Sequence, residues 1–201
     1  MLLDRYYIYI SILIALCSLV VLFWRLDKHS TNVRRIVIIA VMISLSICSR
    51  FIFAAVPAFK PMASIIILTG MYLGPEAGFL CGSLTAFISN FYFGQGPWTV
   101  FQMIAFGLIG LFAALLARPL KKNMLLLSLY GLIAGIFYSF FMDIWTMLWT
   151  YSSLNKEGYL MALYTAIPYT VLYAVSNVVF LLLLCKPFSN RLGRILFKYQ
   201  I

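Results

Sequence analysis

The chain has 201 residues, of which 64% are hydrophobic and only 10% charged. An ordinary soluble domain carries about 25% charged residues, so that class is excluded. The net charge of +10 does not indicate nucleic acid either, because the basic residues fall in short links between apolar runs, where they set topology.

Apolar runs of bilayer length recur along the chain. They predict an all-α polytopic membrane protein with seven spans, at residues 7–24, 36–56, 61–73, 75–93, 97–117, 124–150 and 159–184. The first run is followed by Arg25-Leu-Asp-Lys rather than a small-x-small cleavage pattern, so it reads as a retained helix and not a signal peptide. Residues 1–34 are then an N-terminal transmembrane helix with a basic loop, and residues 35–201 a six-helix core with a basic tail.

Basic residues orient the spans. One set of alternate links holds Arg25, Lys28, Arg34, Arg35, Arg118, Lys121, Lys122, Lys186, Arg191, Arg194 and Lys198, whereas the other holds Arg5, Lys60 and Lys156. The first set is cytoplasmic. The expected N-terminus is outside, the C-terminus inside, and the location a bacterial plasma membrane.

The second span places Ala40, Ser44 and Cys48 at four-residue spacing, a small-residue face on which another helix can dock. It also carries Arg50, roughly 21 Å from its cytoplasmic end at 1.5 Å per residue. An arginine at that depth must face protein or water, or snorkel to the headgroups. Pro57 and Pro61 bracket a non-helical link containing Phe59 and Lys60. The third span that follows is about 20 Å long, short for a bilayer of about 30 Å. Phe59 and Lys60 are therefore candidates for ligand contact or for a lid.

Pro75 and Glu76 suit the start of the fourth span, the carboxylate complementing the helix dipole. Gly78, Gly82 and Ala86 make a second close-packing face. Residues 90–103 then interrupt the apolar pattern with a turn built on Gly94, Gly96 and Pro97. Asn90, Gln95, Trp98 and Gln102 surround it, more polar and aromatic groups than a reversal of direction requires. This stretch reads as the mouth of a ligand site, with those four as candidate contacts. In the sixth span Ser139, Asp143, Thr146 and Thr150 form a polar stripe expected to face the bundle interior or water. Tyr138, Met142, Trp145 and Trp149 form an aromatic one, to be read as pocket wall or interfacial belt. In the last span Pro168 interrupts the backbone ladder, and Thr165, Tyr169, Tyr173 and Ser176 share a face, with Asn177 read as a helix–helix hydrogen bond.

The cysteines fall at the ends of or within apolar runs and read as packing residues, and His29 as a solvated loop residue. There is no phosphate-binding glycine loop, no paired-histidine metalloprotease motif and no nucleophile elbow. The polar groups gather instead at Arg50, Lys60, Asn90, Gln95, Gln102 and Asp143, the makeup of a binding pocket with a few oriented polar groups. The chain reads as a binder and not an enzyme. A stand-alone ion-coupled transporter using Arg50 and Asp143 is the alternative from another class.

The runs Phe59-Lys-Pro-Met-Ala-Ser, Gly74-Pro-Glu-Ala-Gly and Gly94-Gln-Gly-Pro-Trp-Thr resemble the S component, the substrate-binding membrane subunit, of energy-coupling factor (ECF) vitamin importers. Within that group the chain is most similar to the cobalamin type. The resemblance covers residues 35–184. It implies a six-helix core, an extracytoplasmic vitamin pocket closed by the link at residues 57–61, and no intrinsic cofactor beyond the bound vitamin. Cobalamin is the expected ligand, with pantothenate, riboflavin, folate, thiamine or pyridoxine as alternatives. It also implies partners: a transmembrane coupling protein and two cytoplasmic ATPase subunits that hydrolyse ATP. The family docks its coupling protein on an Ala-x-x-x-Ala motif; here Ala40-Val-Met-Ile-Ser44 departs from it by one small residue. The pocket residues implied by pattern and resemblance together are Arg50, Phe59, Lys60, Asn90, Gln95, Trp98, Gln102, Asp143, Trp145 and Tyr169. Ala40, Ser44 and Cys48 are the docking face.

Overall fold

A computed structural model of the chain describes Tyr9, residues 12–14, 16–17 and 20, residues 33–151 and residues 155–199, the last with backbone only at 196, 197 and 199. From residue 33 onward the described chain forms helices α1 (Val33–Ile52), α2 (Met62–Leu73), α3 (Pro75–Phe93), α4 (Trp98–Leu115), α5 (Ala117–Lys122), α6 (Met124–Tyr151) and α7 (Lys156–Tyr199). No strand occurs among the described residues. Helices α1, α4, α6 and α7 are each long and apolar enough to cross a bilayer. The protein is thus an all-α polytopic membrane protein. The expected first span, residues 7–24, lies mostly outside the described residues.

Helix α2 sits at the centre. It touches α1, α3, α4, α5 and α7, and every residue from Met62 to Leu73 except Tyr72 is buried. A helix that is apolar all round belongs in the interior of a bundle. This accounts for its shortness: it is enclosed by neighbours rather than matched to the bilayer.

Helices α3 and α4 pack almost backbone to backbone. A Cβ on Gly78 would overlap the Gly110 carbonyl, one on Gly110 would overlap Gly78, and one on Gly82 would overlap the carbonyl of Phe106. The small-residue face expected on the fourth span is this seam. Helix α1 lays Ile39, Met42, Ile43, Ser46 and Ser49 against the core and leaves Ala40, Val41, Ser44, Leu45 and Cys48 exposed.

Two boundaries differ from the sequence expectation. The second span was drawn to residue 56, but α1 stops at Ile52. Residues 53–56 turn instead, with Ala54 and Val56 donating to carbonyls three residues back. The residue before a proline is driven out of helical backbone, and Pro57 propagates that break toward α1. The last span was drawn to residue 184, with Pro168 as a kink point. Helix α7 instead runs through Pro168 and Pro187 to Tyr199, because Leu181, Leu184, Phe188 and Leu192 continue one apolar face against the core.

Candidate ligand-binding cavity

Four helices meet around a chain of hydrogen bonds that begins at Arg50. Its Nη1 donates to Ser89 Oγ at 2.6 Å and to Asn90 Oδ1 at 2.8 Å. Asn90 Nδ2 donates to Gln102 Oε1 at 2.9 Å and to Thr99 Oγ1 at 2.9 Å. Gln102 Nε2 donates to Tyr138 Oη at 3.2 Å. The chain links α1, α3, α4 and α6. Asn90 is fully buried, and both its amide hydrogens and its carbonyl oxygen are matched, which is what makes a buried amide tolerable.

On one side of this chain lies a small chamber of about 110 Å³ whose wall includes Arg50, Lys60, Phe106, Tyr138, Tyr173 and Asn177. Tyr138 stacks on Phe106, ring centroids 4.4 Å apart, and meets Tyr173 edge-on at 5.0 Å. Lys60 enters from the link between α1 and α2. Its backbone N–H donates to Ser176 Oγ at 2.9 Å, and that hydroxyl donates back to the Lys60 carbonyl at 3.1 Å, pinning the link to α7. Ala58, in the same link, has φ 59°, an uncommon conformation for a residue with a Cβ. Both cations lie over the ring of Phe93, Arg50 at 4.6 Å and Lys60 at 5.4 Å from its centroid, so the negative face of the ring offsets part of their charge. Burial lowers the Lys60 ammonium from its ordinary value, and the neighbouring Arg50 charge lowers it further.

Across Gln102, Tyr138 and Tyr173 lies a larger chamber of about 430 Å³, lined also by Ser139, Asp143, Thr146, Thr165 and Tyr169. Three residues of the polar stripe of α6, Ser139, Asp143 and Thr146, therefore face a cavity, whereas the fourth, Thr150, is exposed and does not line it. Ser139 and Thr170 share a hydrogen bond of 2.6 Å across the α6–α7 seam. Asp143 is 6% exposed, and its Oδ2 is buried with no hydrogen-bond partner. It does not pair with Arg50, whose Nη1 is committed to Ser89 and Asn90.

The candidate residues thus divide. Arg50, Lys60 and Gln102 line the first chamber, and Gln102, Asp143 and Tyr169 the second. Asn90 stands behind the wall as the group that holds Arg50 and Gln102. Gln95 and Trp98 shape the turn. Gln95 donates to the Phe87 carbonyl at 2.9 Å and accepts from Thr99 Oγ1 at 2.9 Å, and the Trp98 ring covers Gly96, where a Cβ would overlap it. Gly94 reverses the chain with φ 104°, a conformation glycine adopts without penalty. Trp145 is buried among Trp98, Phe101 and Trp149. Phe59 packs on Phe180, ring centroids 5.0 Å apart.

Phe106, Tyr138, Tyr173 and Asn177 line the cavity but stood outside the pocket residues drawn from the sequence, although Tyr138 belonged to the aromatic stripe of α6 and Tyr173 to the stripe of the last span. A signal existed for three of them. Phe106 follows Gln102 by one helical turn, Tyr173 follows Tyr169 likewise, and Tyr138 stood in the aromatic stripe read as pocket wall or interfacial belt. Asn177 had been read as a helix–helix contact, and it does donate to the Gly131 carbonyl at 3.1 Å, while also bordering the chamber.

A family model described as "ECF-type riboflavin transporter, S component" matches residues 30–192, most of the chain. Neither curated proteins nor solved structures give a significant match.

Proposed function

The chain belongs to the family of S components of ECF-type transporters that is described by riboflavin, and from that premise we propose that it is the high-affinity binding subunit for a flavin-sized vitamin, riboflavin itself. An S component is a substrate-binding membrane subunit, not an enzyme. The cobalamin expectation is weaker on two grounds. The family description prints riboflavin, and the larger chamber, at about 430 Å³, lies toward the lower part of the roughly 300–1,000 Å³ range of small-molecule sites. A corrinoid carries several times as many atoms as a flavin.

The observation that carries this reading is the double chamber around Gln102, Tyr138 and Tyr173. Aromatic rings supply flat apolar wall, and Arg50, Lys60, Asn177, Asp143 and the hydroxyls of Ser139, Thr146 and Thr165 supply polar groups at either end. That pattern suits a planar heteroaromatic ring bearing a polar chain. On the topology set by the basic links, the cavity opens to the outside, and the C-terminal part of α7 lies in the cytoplasm. The exposed face of Ala40, Ser44 and Cys48 on α1 is the surface for a transmembrane coupling protein, which joins the chain to two ATPase subunits.

Equilibrium dialysis of the purified, folded chain against riboflavin, cobalamin, thiamine, folate, pantothenate and pyridoxine, without nucleotide, tests the reading. Riboflavin should be retained most strongly. Retention of cobalamin and not riboflavin would reassign the substrate. Retention of none would remove the vitamin-binding role. Uptake in proteoliposomes driven by an ion gradient without any ATPase subunit would favour the stand-alone transporter instead.

A further inference from the structure

The two chambers carry opposite charge. Arg50 and Lys60 face the smaller one, and none of the described residues lining it is a carboxylate. Asp143 faces the larger one, and none of the described residues lining that is a cation. Both ends have capacity left over. The inner cations have an aromatic ring and neutral hydrogen-bond acceptors as neighbours, and Asp143 has a buried oxygen without a partner. Buried charge left in that state is unfavourable unless a ligand completes it. Tyr138 and Tyr173 border both chambers.

A flavin is polarised in the same sense. The pyrimidinedione edge of its ring is acceptor-rich, with two carbonyl oxygens and an unprotonated ring nitrogen beside a single N–H donor. Its ribityl chain presents hydroxyls, which can donate to a carboxylate. Resting on the flavin reading above, we propose that the charge polarity of the cavity fixes the ligand's direction, and that Asp143 is the residue that selects against phosphorylated flavin. The dione edge points to Arg50 and Lys60, and the polyol runs past Ser139 and Thr146 to Asp143. The free Asp143 oxygen accepts a ribityl hydroxyl. A phosphate at the end of the same chain would bring a second negative group against that buried carboxylate, where like charges repel. The reverse direction would do the opposite, setting the phosphate on Arg50 and Lys60 and making the phosphorylated form the better ligand. The ratio of the two affinities therefore reads out the direction of binding.

The test titrates the purified full chain with riboflavin, riboflavin 5′-phosphate and lumiflavin, the ring without the polyol. Wild type should bind the phosphate on the order of 100-fold more weakly than riboflavin. Asp143→Asn should bring that ratio within about tenfold, with a ligand-free melt reporting that the variant is folded. Phosphate binding equal to or tighter than riboflavin in the wild type would overturn the proposal, and that comparison needs no variant. An unchanged ratio in Asp143→Asn would overturn the role of Asp143. If folded wild type binds neither riboflavin nor lumiflavin, the flavin reading itself fails, an outcome distinct from either of these.

Discussion

The α3–α4 pair and the α6–α7 pair are both helical hairpins, and they are built on opposite principles. Helices α3 and α4 are pressed together by Gly78, Gly82, Gly107 and Gly110; Ser83 donates to the Met103 carbonyl and Asn90 is matched at its amide hydrogens and its carbonyl, while the buried Thr85 hydroxyl has no hydrogen-bond partner. Helices α6 and α7 also touch closely at one level, where a Cβ on Gly135 would overlap Ala174. Beyond that crossing they border an open chamber in which Asp143 carries a buried oxygen with no hydrogen-bond partner. The contrast separates a rigid wall from a receptive one. Close backbone contact and the hydrogen bonds of Asn90 hold the geometry of Arg50 and Gln102, and the open pair supplies volume and one unmatched acceptor, Asp143, for a ligand.

Four substitutions probe that division, taken from the largest expected effect to the smallest. Gly110→Leu drives a side chain into the backbone of Gly78. Overpacking of this kind destabilises by about 3 kcal/mol or more, lowering the melting midpoint by roughly 6–12 °C in a chain of this size; a thermal melt in detergent checks it. A midpoint within a degree or two of wild type would mean the α3–α4 seam is not rigid. Thr165→Trp acts on the other pair. Thr165 is exposed and lines the larger chamber, so indole there should occlude the chamber and weaken riboflavin binding by about 100-fold, with little change in melting. Unchanged affinity would place the ligand elsewhere.

Gln95→Ala distinguishes a turn staple from a ligand contact. Losing its bonds to Phe87 and Thr99 should lower stability by about 1–2 kcal/mol and leave affinity within a few-fold. A large affinity loss at constant stability would instead make Gln95 a direct contact. Ala58→Gly is the mildest. It relieves a positive φ at a residue with a Cβ, a strain of about 1 kcal/mol, so the melting midpoint should rise by a few degrees at most. A lower midpoint would show that the link tolerates its conformation for another reason.

Much of the architecture was legible in the sequence because apolar length and glycine spacing are local signals. The seam at Gly78 and Gly82 and the cavity-facing stripe of Ser139, Asp143 and Thr146 follow directly from helical periodicity. The role of Asn90 was not legible. It depends on Arg50, forty residues earlier, and on Gln102 in the next helix, and no local pattern reports which of several amides the bundle will enclose. Gln95 and Trp98 shape the turn and line neither chamber, and the sequence could not separate the two roles because turn-forming and ligand-touching residues share a composition. The extension of α7 past residue 184 was masked by its basic residues, Lys186, Arg191 and Arg194. They mark the end of a lipid-soluble run without ending the helix, since Phe188 and Leu192 still find the core.

The central claim is that the cavity between Arg50 and Asp143 is the vitamin site. A paired calorimetric titration with riboflavin tests it most directly, wild type against Arg50→Gln, each with a melt in the absence of ligand. Wild type should bind one riboflavin per chain, and Arg50→Gln should bind at least about 100-fold more weakly while the ligand-free melting midpoint falls by only a few degrees. Equal affinity in the two proteins, or no binding by folded wild type, would contradict the account.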